Sequence, residues 1–157
     1  MLNLSDLKHF LVKAKTNTYA SGDLNLLQKQ PDHSTTITYQ EGDFKYHDNF
    51  FGGEPYGGRE VVFFKGKPVY LMVYYGSFNK NIKDLDKLYL ILQKALTQIP
   101  PNYPFRDPKL FESKNLQYLN QWQGSINNFS GHEKILKNHK PIYSAKYIGG
   151  LVDQKRD

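Results

Sequence analysis

Apolar residues recur at intervals of three and four near the start of the chain, at Leu7, Phe10, Leu11 and Ala14. This spacing predicts one amphipathic helix capped by Ser5 and running to about Lys15. A second stripe, Leu85, Leu88, Leu92, Ala95, Leu96 and Ile99, has Lys83, Asp86, Lys87 and Lys94 on its polar side and is stopped by Pro100-Pro101. Elsewhere the period falls to two. Alternating runs at Thr35 to Gln40 and Phe44 to Phe51 flank the turn signal Glu41-Gly42-Asp43. Runs at Glu60 to Phe64 and Val69 to Tyr75 flank Lys65-Gly66-Lys67-Pro68. Weaker strand patterns follow at Leu110 to Glu112, Leu116 to Trp122, Glu133 to Lys137 and Ile142 to Ile148. The expected fold class is α+β, each half a helix followed by three to four antiparallel strands, with two helices packed on one face of a curved antiparallel sheet.

The halves also share residues in register. Gly58, Glu60, Lys67-Pro68-Val69-Tyr70, Tyr74 and Gly76 are matched at the same spacings by Gly131, Glu133, Lys140-Pro141-Ile142-Tyr143, Tyr147 and Gly149. With one residue of slip, Phe44, Tyr46, Phe50 and Gly52 face Leu116, Tyr118, Trp122 and Gly124, and Tyr56 faces Phe129. Tyr39 then lies opposite Phe111, and Leu7, Phe10, Leu11 and Ala14 opposite Leu88, Ile91, Leu92 and Ala95. The expectation is an internal duplication, a single domain over residues 1–157 built of repeats at about 1–76 and 77–152; convergent turn chemistry is the competing explanation.

A chain of 157 residues can bury roughly two-thirds of its unfolded surface, enough for one shared core. Cysteine is absent, which excludes disulfides, thiolate metal sites and cysteine catalysis. No apolar run approaches the roughly 18 residues of a membrane span, and no basic segment with an apolar run opens the chain, so a soluble, cytoplasmic protein without membrane contact is expected. The formal charge of +6 admits nucleic acid or an anionic ligand, although the lysines are spread along the chain. The long segment Thr16 to Ser34 reads as a lid or a disordered connector, and the polar tail Asp153 to Asp157 as frayed.

Strand alternation puts Tyr70, Met72 and Tyr74 on one face, with Tyr143, Ala145 and Tyr147 on the matching face of the other half. Four phenols, Tyr70, Tyr74, Tyr143 and Tyr147, converging on the seam would stack on a small aromatic or cationic ligand; the alternative is packing beneath the helices. Glu60 and Glu133 open equivalent strands, and in one cavity they would form an acid/base pair or a clamp for a cation. The alternative is a salt bridge, for Glu60 with neighbouring Arg59. The run Phe50 to Gly58 is an aromatic, glycine-rich turn, without the Gly-Lys-Ser/Thr ending of a phosphate loop. The five scattered histidines form no metal centre, no nucleophile signature is present, and no cofactor is implied. Acidic residues Asp43, Asp48, Glu60 and Glu133 are the sole mark of a carboxylate-dependent hydrolase or isomerase, so a binding role is favoured over catalysis. A nucleic-acid or protein interaction module would use the basic hairpin tips, Lys65 and Lys67 in one half and Lys137, His139 and Lys140 in the other.

The strings Tyr39-Gln40-Glu41-Gly42-Asp43-Phe44-Lys45-Tyr46-His47-Asp48, Phe51-Gly52-Gly53, Gly58-Arg59-Glu60-Val61-Val62 and Tyr74-Tyr75-Gly76, with Ala14-Lys15 and Thr18-Tyr19-Ala20, resemble an uncharacterised bacterial domain family. In that family the domain occurs alone or behind a helix-turn-helix of the XRE type, and none is expected in these 157 residues. The resemblance implies sensing of a small molecule or contact with a partner, and supplies no catalytic residues. At the level of fold, the design is loosely similar to the effector-binding domains of the gyrase-inhibitor-like class, whose ligands enter between two halves.

Overall fold

The computed structural model describes residues 1–106 and 108–153, so the tail expected to fray lies outside the described residues from 154 onward. Helix α1 spans Leu4–Asn17 and α2 spans Leu85–Leu96. The cap of α1 is Asn3, whose side chain accepts from the Ser5 amide at 2.8 Å, so Ser5 lies inside the first turn instead of capping it. Helix α2 closes at Thr97, ahead of the proline pair, and Ile99 is buried just beyond it.

Among the described residues nine strands form one antiparallel sheet: β1 (Gln28–Lys29), β2 (Thr35–Glu41), β3 (Phe44–Gly52), β4 (Tyr56–Phe64), β5 (Lys67–Phe78), β6 (Leu110–Ser113), β7 (Leu116–Ser125), β8 (Asn128–Lys137) and β9 (Lys140–Leu151). The spatial order is β1-β2-β3-β4-β5-β9-β8-β7-β6, a first meander of β1 to β5 and a second of β6 to β9, joined through β5 and β9. Several strands are longer than the alternation predicts because glycines at Gly57, Gly58, Gly131, Gly149 and Gly150 interrupt the apolar signal without ending the pairing. The segment expected as a lid or disordered connector forms two short 3-10 turns, Tyr19–Ser21 and Leu24–Leu26, and leads into β1, which pairs with β2.

Each meander carries a register shift at the same place, between Val62 and Phe63 and between Ile135 and Leu136. At the seam Tyr74 stands opposite Tyr147. The shared glycines have a packing reason. Gly58 pairs with Tyr74 across β4 and β5, and Gly131 pairs with Tyr147 across β8 and β9. A methyl group on Gly58 would sit 2.7 Å from the Tyr74 hydroxyl, and one on Gly131 would sit 2.0 Å from the Tyr147 ring. Both tyrosines therefore lie over a strand position that only glycine leaves open.

Both helices cover the same face of the sheet. Leu7, Phe10, Leu11 and Ala14 of α1 pack with Tyr46, Val62, Tyr70 and Met72, while Leu88, Leu92 and Ala95 of α2 pack with Phe78, Tyr118, Ile135 and Tyr143. Phe129 stacks on Phe105 at 4.0 Å and on Tyr70 at 5.9 Å between ring centroids, so the cluster under α1 extends across the seam, and Tyr56 packs against both clusters.

Candidate functional site

The inner face of the sheet buries charge as well as hydrocarbon. Asp48 on β3 pairs in register with Glu60 on β4, so their side chains leave the same face side by side. Lys15, in the last turn of α1, lies on the apolar stripe four residues after Leu11 and reaches down to Glu60. Its Nζ is 2.6 Å from Glu60 Oε2 and donates to the Phe105 carbonyl. Arg59 points to the opposite face, as alternation requires, so the cation that pairs with Glu60 comes from the helix. In the second meander Arg106 Nη2 donates to Glu133 Oε1 at 2.8 Å, Tyr143 donates to the same oxygen at 2.9 Å, and Tyr118 donates to Glu133 Oε2.

The two meanders differ at one informative position. Where β3 pairs Asp48 with Glu60, β7 and β8 pair Asn120 with Glu133. Both short side chains accept from the seam tyrosine, Tyr74 to Asp48 at 2.6 Å and Tyr147 to Asn120 at 2.7 Å. The second meander thus holds one carboxylate with several donors, and the first holds two carboxylates. Burial pushes Glu133 up, but Arg106 and the hydroxyls of Tyr118 and Tyr143 outweigh it and hold the group below the usual carboxylate value. Asp48 goes the other way: burial and then the Glu60 charge push it up to about 7, against the opposing pull of the Tyr74 hydroxyl, Arg106 and Lys15. The first meander also contains a buried hydroxyl without a hydrogen-bond partner among the described residues, that of Tyr70, while Glu60 Oε2 is held by the Lys15 ammonium. In the second meander the matching pair, Tyr143 and Glu133, is hydrogen-bonded.

A cavity of about 160 Å3 opens on this first cluster, between α1, α2 and strands β3 to β5. Asp48, Glu60, Tyr46 and Lys15 lie at its base, Tyr74 and Arg106 form one wall, and Phe50 with Tyr89 stands toward the mouth. The Arg106 guanidinium lies 5.1 Å from the Tyr74 ring centroid. Burial and the neighbouring Glu60 and Asp48 charges raise Tyr46 well above the usual phenol value, and burial with Asp48 does the same for Tyr74, so both remain protonated donors at neutral pH. Tyr89 donates to Glu54 at 2.6 Å and to the Gly53 carbonyl at 2.7 Å, tying α2 to the glycine-rich turn at the mouth. The volume lies below the roughly 300–1,000 Å3 of pockets for drug-sized ligands and suits a compact molecule.

Of the residues singled out from sequence, Glu60 and Tyr74 border this cavity. Glu133 and Tyr143 stand behind its wall, bonded to Arg106 and to the Tyr56 hydroxyl. Tyr70 stacks on Phe129, and Tyr147 lies over Gly131. All four tyrosines share the inner face and are buried, but they do not enclose one common groove. Lys15, Asp48, Tyr56, Tyr89 and Arg106 complete the cluster and were not among the sequence candidates for binding. The basic hairpin tips lie at opposite ends of the sheet, on the order of 50 Å apart along the strands, because β5 and β9 run antiparallel. Among the described residues no group of histidine, aspartate and glutamate is placed to hold a metal ion, and no helix is long and apolar enough to cross a membrane.

Fold and site together define a mixed domain in which two helices cover one antiparallel sheet and a charged cavity lies between them. The chain belongs to the family described as a domain of unknown function, DUF5680, whose match covers residues 48–152 and so begins at Asp48. Comparison with curated proteins and with solved structures finds no match.

Proposed function

We propose that the chain is a small-molecule-binding domain whose site is the cavity at Asp48, Glu60 and Tyr74, and that its ligand is a compact molecule carrying a positive charge. One observation carries this reading: the buried charges do not balance. Among the described residues the interior holds Asp48, Glu60 and Glu133 against Lys15 and Arg106. An ammonium or amidinium group beside Asp48 would supply the missing positive charge and lie against aromatic faces. Tyr74, Tyr56 and Phe50 offer the stacking that the sequence assigned to a tyrosine-lined seam.

A panel of compact cations, including benzylamine, tyramine and agmatine, tested by thermal shift at pH 6 and pH 8 puts the reading at risk. At least one should raise the melting temperature, more at pH 8 where Asp48 is ionised, and Asp48→Asn should abolish the shift. A panel in which neutral or anionic compounds shift the protein and amines do not, or an unchanged shift in Asp48→Asn, would reject it.

A second reading rests on the same pair. A carboxyl group that titrates near neutrality beside a second carboxylate suits proton transfer, so slow chemical conversion of a bound amine would point to a hydrolase or isomerase. We further read the meanders as descendants of one duplicated unit, which their matching register shifts and glycine–tyrosine pairs support. In that reading the second copy became structural when its acid pair reduced to Asn120 and Glu133. The resemblance to domains found behind helix-turn-helix segments fits a sensing role for the first copy.

A further inference from the structure

The face of the sheet turned away from the helices has a different chemistry from the buried one. In-register pairing aligns its outward side chains in rows across the strands: Phe51, Gly57, Tyr75, Lys146 and His132 form one row, and Asn49, Arg59, Val73, Ile148 and Ser130 the next. Large apolar groups here are open to solvent, with Tyr75 62%, Ile148 60%, Phe51 49% and Val73 46% exposed. Around them stand the exposed cations Lys45, Arg59, Lys134 and Lys146. The outward positions of β3, β4, β5, β8 and β9 include no aspartate or glutamate; the nearest outward carboxylate in the sheet is Glu112 on the edge strand β6, where it accepts from Gln117. Two shallow concavities mark this face. One of about 670 Å3 crosses β5, β9, β8 and β7 and is bordered by Lys146, His132 and Gln121, and one of about 450 Å3 crosses β3 to β5 beside Lys45, His47 and Arg59. Both histidines feel the positive field. Burial lowers His47, helped by Arg59 and Lys45, and burial lowers His132, helped by Lys134 and Lys146.

We propose that this outer face binds single-stranded nucleic acid, its phosphates held by Arg59, Lys146 and Lys134 and its bases stacked on Tyr75 with Phe51 as a second platform. A sheet face that interleaves exposed aromatics with cations is the arrangement that stacks unpaired bases while neutralising their backbone. Gln121, which borders the larger concavity, adds an amide group that can reach base edges. A second copy of the chain is a poor occupant, because two faces of the same positive sign would repel. An acidic polypeptide would use the cations but leave the aromatic platforms without a flat partner. This surface lies across the sheet from the cavity, so the inference stands independently of the amine-binding reading.

The test is fluorescence anisotropy with labelled 12-residue single strands of DNA and RNA, the same sequence as duplex, and polyglutamate. Single strands should bind more tightly than duplex and polyglutamate, with affinity falling steeply as salt rises. Tyr75→Ala should weaken binding at least five-fold with the salt slope kept, Tyr75→Phe should restore it, and Arg59→Glu with Lys146→Glu should flatten the slope. These side chains are exposed, so unchanged melting temperatures establish that the variants fold. Absence of binding at low salt, equal binding of polyglutamate or duplex, or indifference to Tyr75→Ala would each overturn the proposal.

Discussion

Asp48 and Glu60 face each other across β3 and β4, two carboxylates in the core, while the matching position in the second meander pairs Asn120 with Glu133. Asparagine accepts the tyrosine hydroxyl as well as aspartate does, so the first meander keeps a charge that its hydrogen bonding does not require. Raising Asp48 from 3.8 to about 7 corresponds to about 4 kcal/mol of native-state cost when the group is ionised. Because the folded value lies above the unfolded one, that cost is absent below about pH 4, grows between pH 4 and 7, and is complete above 7.

Asp48→Asn should therefore stabilise the protein, by several degrees in melting temperature at pH 8 and by little at pH 4.5. Thermal melts of both proteins across this range check it. A variant that melts lower than the parent at pH 8 would show that the aspartate charge is compensated in the core.

The matched tyrosines Tyr143 and Tyr70 give an opposite pair of outcomes. Tyr143 donates to Glu133, so Tyr143→Phe removes a donor from a buried carboxylate and should cost about 1–3 kcal/mol. Tyr70 is equally buried, but its hydroxyl has no hydrogen-bond partner among the described residues, so Tyr70→Phe should be neutral or mildly stabilising. Urea unfolding of the two variants separates these results; equal losses would mean that the Tyr70 hydroxyl is satisfied in solution.

The repeated residues were readable from the chain because their reasons are local and stereochemical. Tyr74 and Tyr147 need a glycine across the strand, and Glu60 and Glu133 share a face with them, so spacing alone exposed both sets. The helical stripes were equally legible, though their ends depended on Asn3 and Thr97, whose capping is set by backbone angles that apolar spacing does not report. Asp48 escaped the candidate binding set although alternation places it with Tyr46 and Phe50, because one acidic residue in a strand looks like solvent-facing polarity until its cross-strand partner is known. Lys15 carried a similar signal, sitting four residues after Leu11 on the buried stripe. Arg106 had none, since it enters from an irregular segment whose path depends on the whole fold.

Glycine packing predicts a sharp contrast. A methyl group at Gly131 would meet the Tyr147 ring at 2.0 Å, whereas one at Gly53 meets nothing within 4 Å. Gly131→Ala should cost several kcal/mol, on the order of the 1–3 kcal/mol of overpacking or more, and Gly53→Ala should fall within about 0.5 kcal/mol of the parent. Chemical denaturation of both variants measures the gap, and a mild Gly131→Ala would mean that the tyrosine shifts freely at the seam.

Lys15 should be energetically coupled to Glu60 far more than a surface lysine would be. Its Nζ lies 2.6 Å from Glu60 Oε2 with both side chains almost wholly buried, so Lys15→Met leaves two carboxylates in the core without their adjacent ammonium. That loss should cost about 3–5 kcal/mol at pH 8. Adding Glu60→Gln removes one of the stranded charges and should recover most of the loss, because the double variant buries neither partner of the ion pair. A double-mutant cycle in urea at pH 8 gives the coupling directly, with a value of about 2 kcal/mol or more expected. The exposed pair Lys13 and Glu41, also at 2.6 Å, serves as the comparison and should couple by no more than about 1 kcal/mol. Additive effects at Lys15 and Glu60 would mean that water reaches the pair, and the cavity would then lack the low polarity that raises Asp48.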